Sequence, residues 1–416
     1  MSSVQDAVQI WQKLESDKLH VLMHRCVRVR NRNVTCRKCV DACPVECITV
    51  EGNSLAVDPF ACIGCGTCAT ACPVGALLPL KPADRQLEDL MVNSLDLNDG
   101  TAVIACREMA DKARGRIDPG KVVRVECLSR VDESLLASLA GLDAQRVMLV
   151  CGDCDSCELS RAGQVALDVV LTMRDILTLW NSPMTVEVHQ RFPSFVRFQA
   201  GYDEGRRDLM RDARDAAFDV AAATADYEIK NALQSDKEQE FSFAMLRSAN
   251  GRNLPQFMPH RRERLHEALD YLGTPRDEIL TSRLWGHAEL DPEACDGCGM
   301  CEMFCPTGAI RLVYDDEDAE GPRTRSSRAH VQAVDVFPRQ CLQCRTCEDI
   351  CPRRAIRIDP QVFASDIASG VGERLLIGKA YRDAQAAQYD QDAADEGATP
   401  DALAAPDHVG SGAPEA

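Results

Sequence analysis

Long apolar runs, surplus positive charge and nucleotide-binding loops are all missing from this sequence of 416 residues. No stretch approaches the roughly 18 apolar residues of a membrane span, so no span is expected. The opening MSSVQDAVQIWQKLESDK has neither a basic segment followed by an apolar one nor a twin-arginine signal, and the expectation is a soluble, cytoplasmic protein. Lys and Arg number 47 against 65 Asp and Glu, a net charge of -18. Phosphate contacts need a basic surface, so nucleic acid is not an expected partner. GVGERLLIGKA from Gly370 lacks the third glycine of a dinucleotide fingerprint, and Lys379 is followed by Ala380, which is not a phosphate-binding loop. There is also no C-x3-C-x2-C run of the radical-SAM kind.

What the chain has is cysteine, 22 of them. In a reducing compartment, cysteines at ligand spacing point to metal sites before disulfides. They fall into three groups, Cys26 to Cys72, Cys106 to Cys157 and Cys295 to Cys351, with none between Glu158 and Ala294. Three complete C-x2-C-x2-C-x3-C-P runs occur: Cys62, Cys65, Cys68 and Cys72-Pro73; Cys295, Cys298, Cys301 and Cys305-Pro306; Cys341, Cys344, Cys347 and Cys351-Pro352. A fourth run, Cys36, Cys39 and Cys43-Pro44, has Asn33 where its first cysteine belongs. Four soft thiolates suit iron-sulfur chemistry, because sulfur stabilises iron in both oxidation states. Structural zinc would show paired C-x2-C or histidine ligands, and the eight histidines stand apart from these runs.

Twice over, the runs resemble the bacterial 2x(4Fe-4S) ferredoxin family. In that family the fourth cysteine of each run serves the other cluster. The resemblance therefore implies four 4Fe-4S clusters. Two would be held by Cys295, Cys298, Cys301 and Cys351 and by Cys341, Cys344, Cys347 and Cys305. A third would be held by Cys62, Cys65, Cys68 and Cys43, leaving Cys36, Cys39 and Cys72 one ligand short. Cys26, ten residues before Cys36, is the candidate to complete that set, against a three-thiolate cluster or an Asn33 oxygen. Cys47 takes the place of Ala76, Ala309 and Ala355 in the other runs and reads as structural packing.

Between the cysteine-rich ends, TAVIACRE, KVVRVECLSR and RVMLVCGDCDSCELS each begin with a short apolar run and lead into a helical pattern. A small parallel α/β unit is expected, with Cys106, Cys127 and Cys151 emerging at the carboxyl edge of its sheet and Cys154 and Cys157 on the next loop. This segment resembles the delta-subunit family of methyl viologen reducing hydrogenases, on VECLSRVDESLL and the loop after the third strand. It implies a fifth iron-sulfur cluster, 2Fe-2S or 4Fe-4S, on four of those five cysteines. The alternative is that Cys106 and Cys127 are ordinary buried strand residues.

The expected fold class is α+β: two ferredoxin-like dicluster modules flanking a small α/β parallel-sheet domain and a helical spacer. The expected divisions are an N-terminal helix (1–24), a first dicluster module (25–98), the α/β domain (99–182), the spacer (183–284), a second module (285–365) and an acidic, disordered tail (366–416). The helix spans Val4 to Met23, on the spacing of Val4, Val8, Trp11 and Leu14. Two further helices, Asp203 to Gln234 and Pro259 to Leu272, are expected to be solvated or bridging, with their RR pairs on a hydrated face. From Tyr381 to Ala416, eight acidic residues face one arginine. Arg353 and Arg354, replacing the Thr307-Gly308 of the third run, are expected to raise the potential of a neighbouring cluster.

The function expected is single-electron relay between a low-potential donor and a partner oxidoreductase. Hydrogenase, flavin-containing reductase or molybdenum-enzyme subunits are the candidate partners. Two alternatives remain: an oxidoreductase with its own active site at the middle cysteines, and a zinc-organised scaffold.

Overall fold

In a computed structural model of the chain, residues 18–198, 254–315 and 330–395 are described. Each cysteine-rich end is built on two short antiparallel strand pairs. The first end opens with β1 (Leu19–Val21), then a 3-10 turn (Met23–Arg25) and α1 (Val27–Arg30). It continues with α2 (Lys38–Ala42), β2 (Ile48–Glu51), β3 (Ser54–Val57), α3 (Thr67–Ala71) and β4 (Leu77–Pro79). β1 pairs with β4, Leu19 opposite Pro79, and β2 with β3, Ile48 opposite Val57. Ile48 and Val50 point inward while Thr49 and Glu51 point out, the period-2 pattern of a half-buried strand.

The long helix α4 (Asp84–Leu97) leads into the middle unit. There β5 (Thr101–Cys106), α5 (Arg107–Lys112), β6 (Val123–Val125), α6 (Glu133–Gly141), β7 (Arg146–Val150), α7 (Ser160–Leu179) and β8 (Thr185–His189) follow in turn. The sheet is parallel, in the order β6-β5-β7-β8. Its central strand is covered on both faces, and Ala102, Val103, Ile104 and Ala105 are fully buried, which accounts for an unbroken apolar run where alternation would mark a one-sided strand. Asp132 caps α6 by accepting from the Leu135 N–H at 3.0 Å.

After the undescribed stretch 199–253, α8 (His260–Leu272) ends at Gly273, whose φ of 93° suits glycine. Then come β9 (Ile279–Thr281), β10 (His287–Leu290), α9 (Met300–Phe304), β11 (Ile310–Tyr314), β12 (Val331–Val336), α10 (Thr346–Ile350), β13 (Ile356–Asp359) and β14 (Gln361–Phe363). The chain continues with α11 (Ala364–Ser369), β15 (Glu373–Leu376) and α12 (Gly378–Asp395). β10 pairs with β13 and β11 with β12, repeating the outer and inner pairing of the first end. β9 pairs with β14 and β15 extends the β11-β12 sheet. Among the described residues, no helix is long and apolar enough to cross a membrane.

Several expectations change. Residues 19–21 are a strand, because Leu19 is buried opposite Pro79 and Val21 faces the buried Leu77; the rest of the expected helix, through residue 17, lies outside the described residues. The sheet gains β8 inside the stretch read as helical spacer. The segment read as a disordered tail carries β15 and a helix to Asp395; residues 396–416 lie outside the described set, as do the expected helix 203–234 and the insertion 316–329.

The largest change concerns α8, expected to be solvated or bridging: it bridges, but its RR pair turns inward instead of lying on a hydrated face. It packs on α6 and buries Arg262, Leu265, Ala268 and Leu269. Its Arg261 makes a bidentate pair with Asp84 (2.8 and 2.9 Å) and reaches Asp132 at 2.9 Å, while fully buried Arg130 meets Asp84 at 2.7 Å. Burial alone would raise the Asp84 carboxyl, but Arg261 and Arg130 carry it well below the usual carboxylate range. Removing one partner of such a set strands a buried charge. Asp84→Asn should therefore cost about 3 kcal/mol or more of unfolding free energy, read by guanidinium chloride denaturation; a loss below about 1 kcal/mol, the range of an exposed pair, would contradict this packing role.

Candidate metal centres

Each complete run places three thiols on one loop leading into a short helix, and the run with Asn33 places two, Cys36 and Cys39; the last cysteine of each run lies with the thiols of its partner run. Cys43, Cys62, Cys65 and Cys68 line one cavity. Cys295, Cys298, Cys301 and Cys351 line a second, and Cys305, Cys341, Cys344 and Cys347 a third. Cys26 lies within electrostatic reach of Cys36, Cys39 and Cys72, which also act on one another. Cys26 is buried at the turn into α1, whereas Asn33 is exposed and its backbone N–H is taken by Asn31. Among the described residues, no three His, Cys, Asp or Glu side chains converge tightly enough to hold a single ion. The thiols ring cavities, an arrangement suited to a polyatomic cluster.

The donor chemistry fits as well. Burial pushes the Cys72 thiol up to about 11 and Cys341 up to about 12, and raises Cys39, Cys68, Cys301 and Cys347. A desolvated thiol binds as thiolate when a strong positive charge sits beside it, which iron provides. Iron-sulfur clusters bound here would supply one-electron redox chemistry.

The protein's own contribution is hydrogen bonds and charge around sulfur. The Thr67 hydroxyl donates to Cys65 Sγ at 3.3 Å, and Thr346 Oγ1 lies 3.4 Å from Cys344 Sγ. Backbone N–H groups of Ala76 and Ala355 donate to Cys72 Sγ (3.4 Å) and Cys351 Sγ (3.3 Å). Cys47 is more than packing. Its Sγ is 3.6 Å from Cys43 Sγ and also within hydrogen-bonding reach of Cys62, so a thiol at Cys47 can donate to either of two cavity-lining sulfurs, which lowers both and raises itself. Arg353 lines the third-run cavity, but Asp296 at 3.3 Å offsets its charge. Sequence reading missed the threonines, although Cys-x-Thr recurs at Cys65, Cys305 and Cys344 and was a usable signal.

The middle cysteines gather at the carboxyl edge of the parallel sheet. Cys106 ends β5, Cys127 follows β6 and Cys151 follows β7. Cys106, Cys127, Cys151 and Cys154 act on one another, and Cys154 and Cys151 are hydrogen-bonded. Cys157 stands against Cys154, its Sγ accepting from the Leu159 N–H at 3.4 Å.

The sets also touch in sequence. Cys301 feels Cys305, and Cys68 feels Cys39. Between the two ends, Lys38 faces both Cys36 and Cys344, its ammonium donating to the Gln343 carbonyl at 3.2 Å. Arg30, buried and lowered to about 10 by desolvation, is held charged by Cys305 and Cys344. At the other side Cys65 feels Cys127, and Thr67 meets Ser129 at 2.6 Å, with Ser129 bonded to Cys127. Gly66 lets Arg130 press against this loop: a Cβ there would lie 2.3 Å from Arg130 Cδ.

Comparison with known proteins agrees on the runs. A 4Fe-4S dicluster domain model matches residues 294–355, and two 4Fe-4S binding domain models match 55–78 and 24–46, the last including Cys26. A 7Fe ferredoxin of Hydrogenibacillus schlegelii is 34% identical over 58 residues, 14% of this chain and 68% of that protein. The chain belongs to the ferredoxin family. Ferredoxin-1 of Caulobacter vibrioides is 37% identical over 75 residues (18% of this chain) and a Rickettsia felis ferredoxin 35% over 63 residues (15%). The chain spans 62% and 53% of the length of those two ferredoxins. It is thus an iron-sulfur, metal-binding protein with 4Fe-4S ferredoxin domains.

The two candidates for the missing ligand are separable. Cys26→Ala should remove about four irons per molecule, measured by iron and sulfide analysis after anaerobic purification, while Asn33→Ala should leave the content unchanged. The reverse result would transfer the role to Asn33.

Proposed function

We propose that this ferredoxin-family chain is an electron-transfer protein holding four 4Fe-4S clusters and a fifth iron-sulfur centre in single file. In this reading Cys26, Cys36, Cys39 and Cys72 bind the first cluster and Cys43, Cys62, Cys65 and Cys68 the second. Cys295, Cys298, Cys301 and Cys351 bind the third and Cys305, Cys341, Cys344 and Cys347 the fourth. Cys106, Cys127, Cys151 and Cys154 bind the fifth, with Cys157 as a neighbour. The observation that carries the reading is the unbranched order of the thiol sets: third, fourth, first, second, middle. Lys38 and Arg30 sit where the fourth set meets the first, and the Thr67-Ser129 contact where the second meets the middle.

The surrounding residues position and bias these sites. Lys38 and Arg30 add positive charge beside the first and fourth sets, which favours the reduced, more negative state there. Cys47 and the threonines do the same by hydrogen bonding to sulfur. The terminal sets are the points where partner redox proteins exchange electrons. A hydrogenase, a flavin-containing reductase or a molybdenum enzyme fits, the first on the resemblance of the middle segment to the hydrogenase delta subunit. The second reading, an oxidoreductase with its own site in the middle set, draws on the surplus thiol, Cys157, beside Cys154.

Anaerobic purification, metal analysis and redox-titrated electron paramagnetic resonance test this. Expected are at least about sixteen irons with matching sulfide, reversible one-electron reduction and no turnover without a partner. A protein containing zinc with little iron, or one that turns over substrate alone, would overturn it.

A further inference from the structure

Apart from the thiol-lined sites, one cavity stands out, about 490 Å³ in volume. Its wall is assembled from the first end, the middle unit and the segment that returns from it: Lys38 and Cys72 from the first end, Glu133 and Val165 from the middle, Arg262 from α8. A volume of this size is that of a small-molecule site, and its lining mixes apolar side chains such as Val165 and Leu265 with charged ones of both signs, Asp41 and Asp168 being exposed. Buried polar atoms on this wall without a protein hydrogen bond include Thr70 Oγ1, Glu133 Oε1 and Arg262 Nη1, on side chains 4%, 2% and 5% exposed, together with Arg261 Nη1, Arg283 Nε and Asp132 Oδ2. Nearly all buried polar groups in folded proteins are satisfied, so a concentration of such atoms around one cavity calls for a ligand.

The sign of that ligand follows from the ion pairs. Arg283 is matched by Glu133 at 2.6 Å and Arg261 by Asp132 at 2.9 Å. Arg262 has no salt bridge among the described residues; it lies over the Trp285 ring at 4.7 Å and donates one Nη2 bond to the Leu284 carbonyl. Lys38 likewise has a carbonyl and no carboxylate. At the mouth, exposed Arg161 is already paired with Glu46 at 2.8 Å. The inner wall is thus left cationic.

We propose that this cavity binds a small organic anion, its acidic head on the free edge of Arg262 and its apolar body against Leu265 and Val165. A hydroxyl on such a molecule would satisfy Glu133 Oε1. Because Cys72 is part of the wall and Arg262 acts on Cys341, a bound anion would lower the reduction potential of the first and fourth centres. That consequence rests on the electron-transfer reading; the binding does not.

The test is isothermal titration calorimetry on the anaerobically purified full chain, with benzoate as probe and benzyl alcohol as its neutral counterpart. Benzoate should bind saturably at one site, and benzyl alcohol at least about tenfold more weakly, for want of the charge-assisted bond to arginine. Arg262→Met should abolish the preference for benzoate. Val165→Phe, which fills the cavity away from every cysteine run, should weaken both probes without changing iron content, and covers the case in which Arg262→Met fails to fold. No saturable benzoate binding to the wild type, equal binding of the alcohol, or unchanged binding by Val165→Phe would overturn the proposal. Iron content, measured on the same samples, reports separately on the cluster reading.

Discussion

Sulfur taken out of water needs positive charge beside it, and this chain buries or half-buries all of its cysteines. In the proposed reading the four ferredoxin-type sets meet that demand first with iron and then with the protein's own charges and hydrogen bonds. In three of the sets, three thiols from one loop and one from the opposite run enclose a cavity; in the set with Asn33, Cys26 joins Cys36, Cys39 and Cys72, so no run completes its site alone. That exchange is why the strand pairs β1-β4 and β10-β13 hold the outer edges of their modules while β2-β3 and β11-β12 hold the inner. Where two sets from different modules face each other, Lys38 and Arg30 lie between them. A cation there offsets two negatively charged sites at once and fixes the distance between the modules.

Charge also docks the middle unit. Asp84 starts α4, Arg130 precedes α6, Asp132 caps it and Arg261 comes from α8, far along the chain. This set ties the helix that leaves the first module to the helix that returns before the second. Leu87, Met91, Leu135, Leu139, Met173, Leu265 and Trp285 form one continuous apolar core beneath it. The sheet edge bearing Cys106, Cys127 and Cys151 is thereby held against the Cys65 loop. The packing fixes the spacing between the middle thiols and those of the Cys65 loop.

The sequence revealed what depends on local spacing. Cysteine periodicity marked the thiol sets, and valine-rich runs before each middle cysteine marked the sheet and its carboxyl edge. Cys26 stood out as a candidate because a ligand slot was empty and, of the two spare thiols nearby, Cys47 took the place of a small packing residue. What stayed hidden depends on distant partners. Arg261-Arg262 resembles a hydrated pair until Asp84, Asp132 and Trp285 are placed around it. Leu19–Val21 is too short to show a period, and becomes a strand through Leu77–Pro79. β8 lies beyond a helix with no further cysteine to flag it, and β15 needs β12 beside it.

Magnetic coupling between centres tests the single-file arrangement most directly. In the fully reduced protein, neighbouring paramagnetic clusters should broaden and split each other's electron paramagnetic resonance signals. Replacing Cys36 and Cys39 with alanine, which removes the first cluster from the middle of the file, should leave two magnetically independent groups, one on each side of the gap. Isolated, unsplit signals in the wild type, or coupling between the C-terminal and middle centres that survives this loss, would contradict the account.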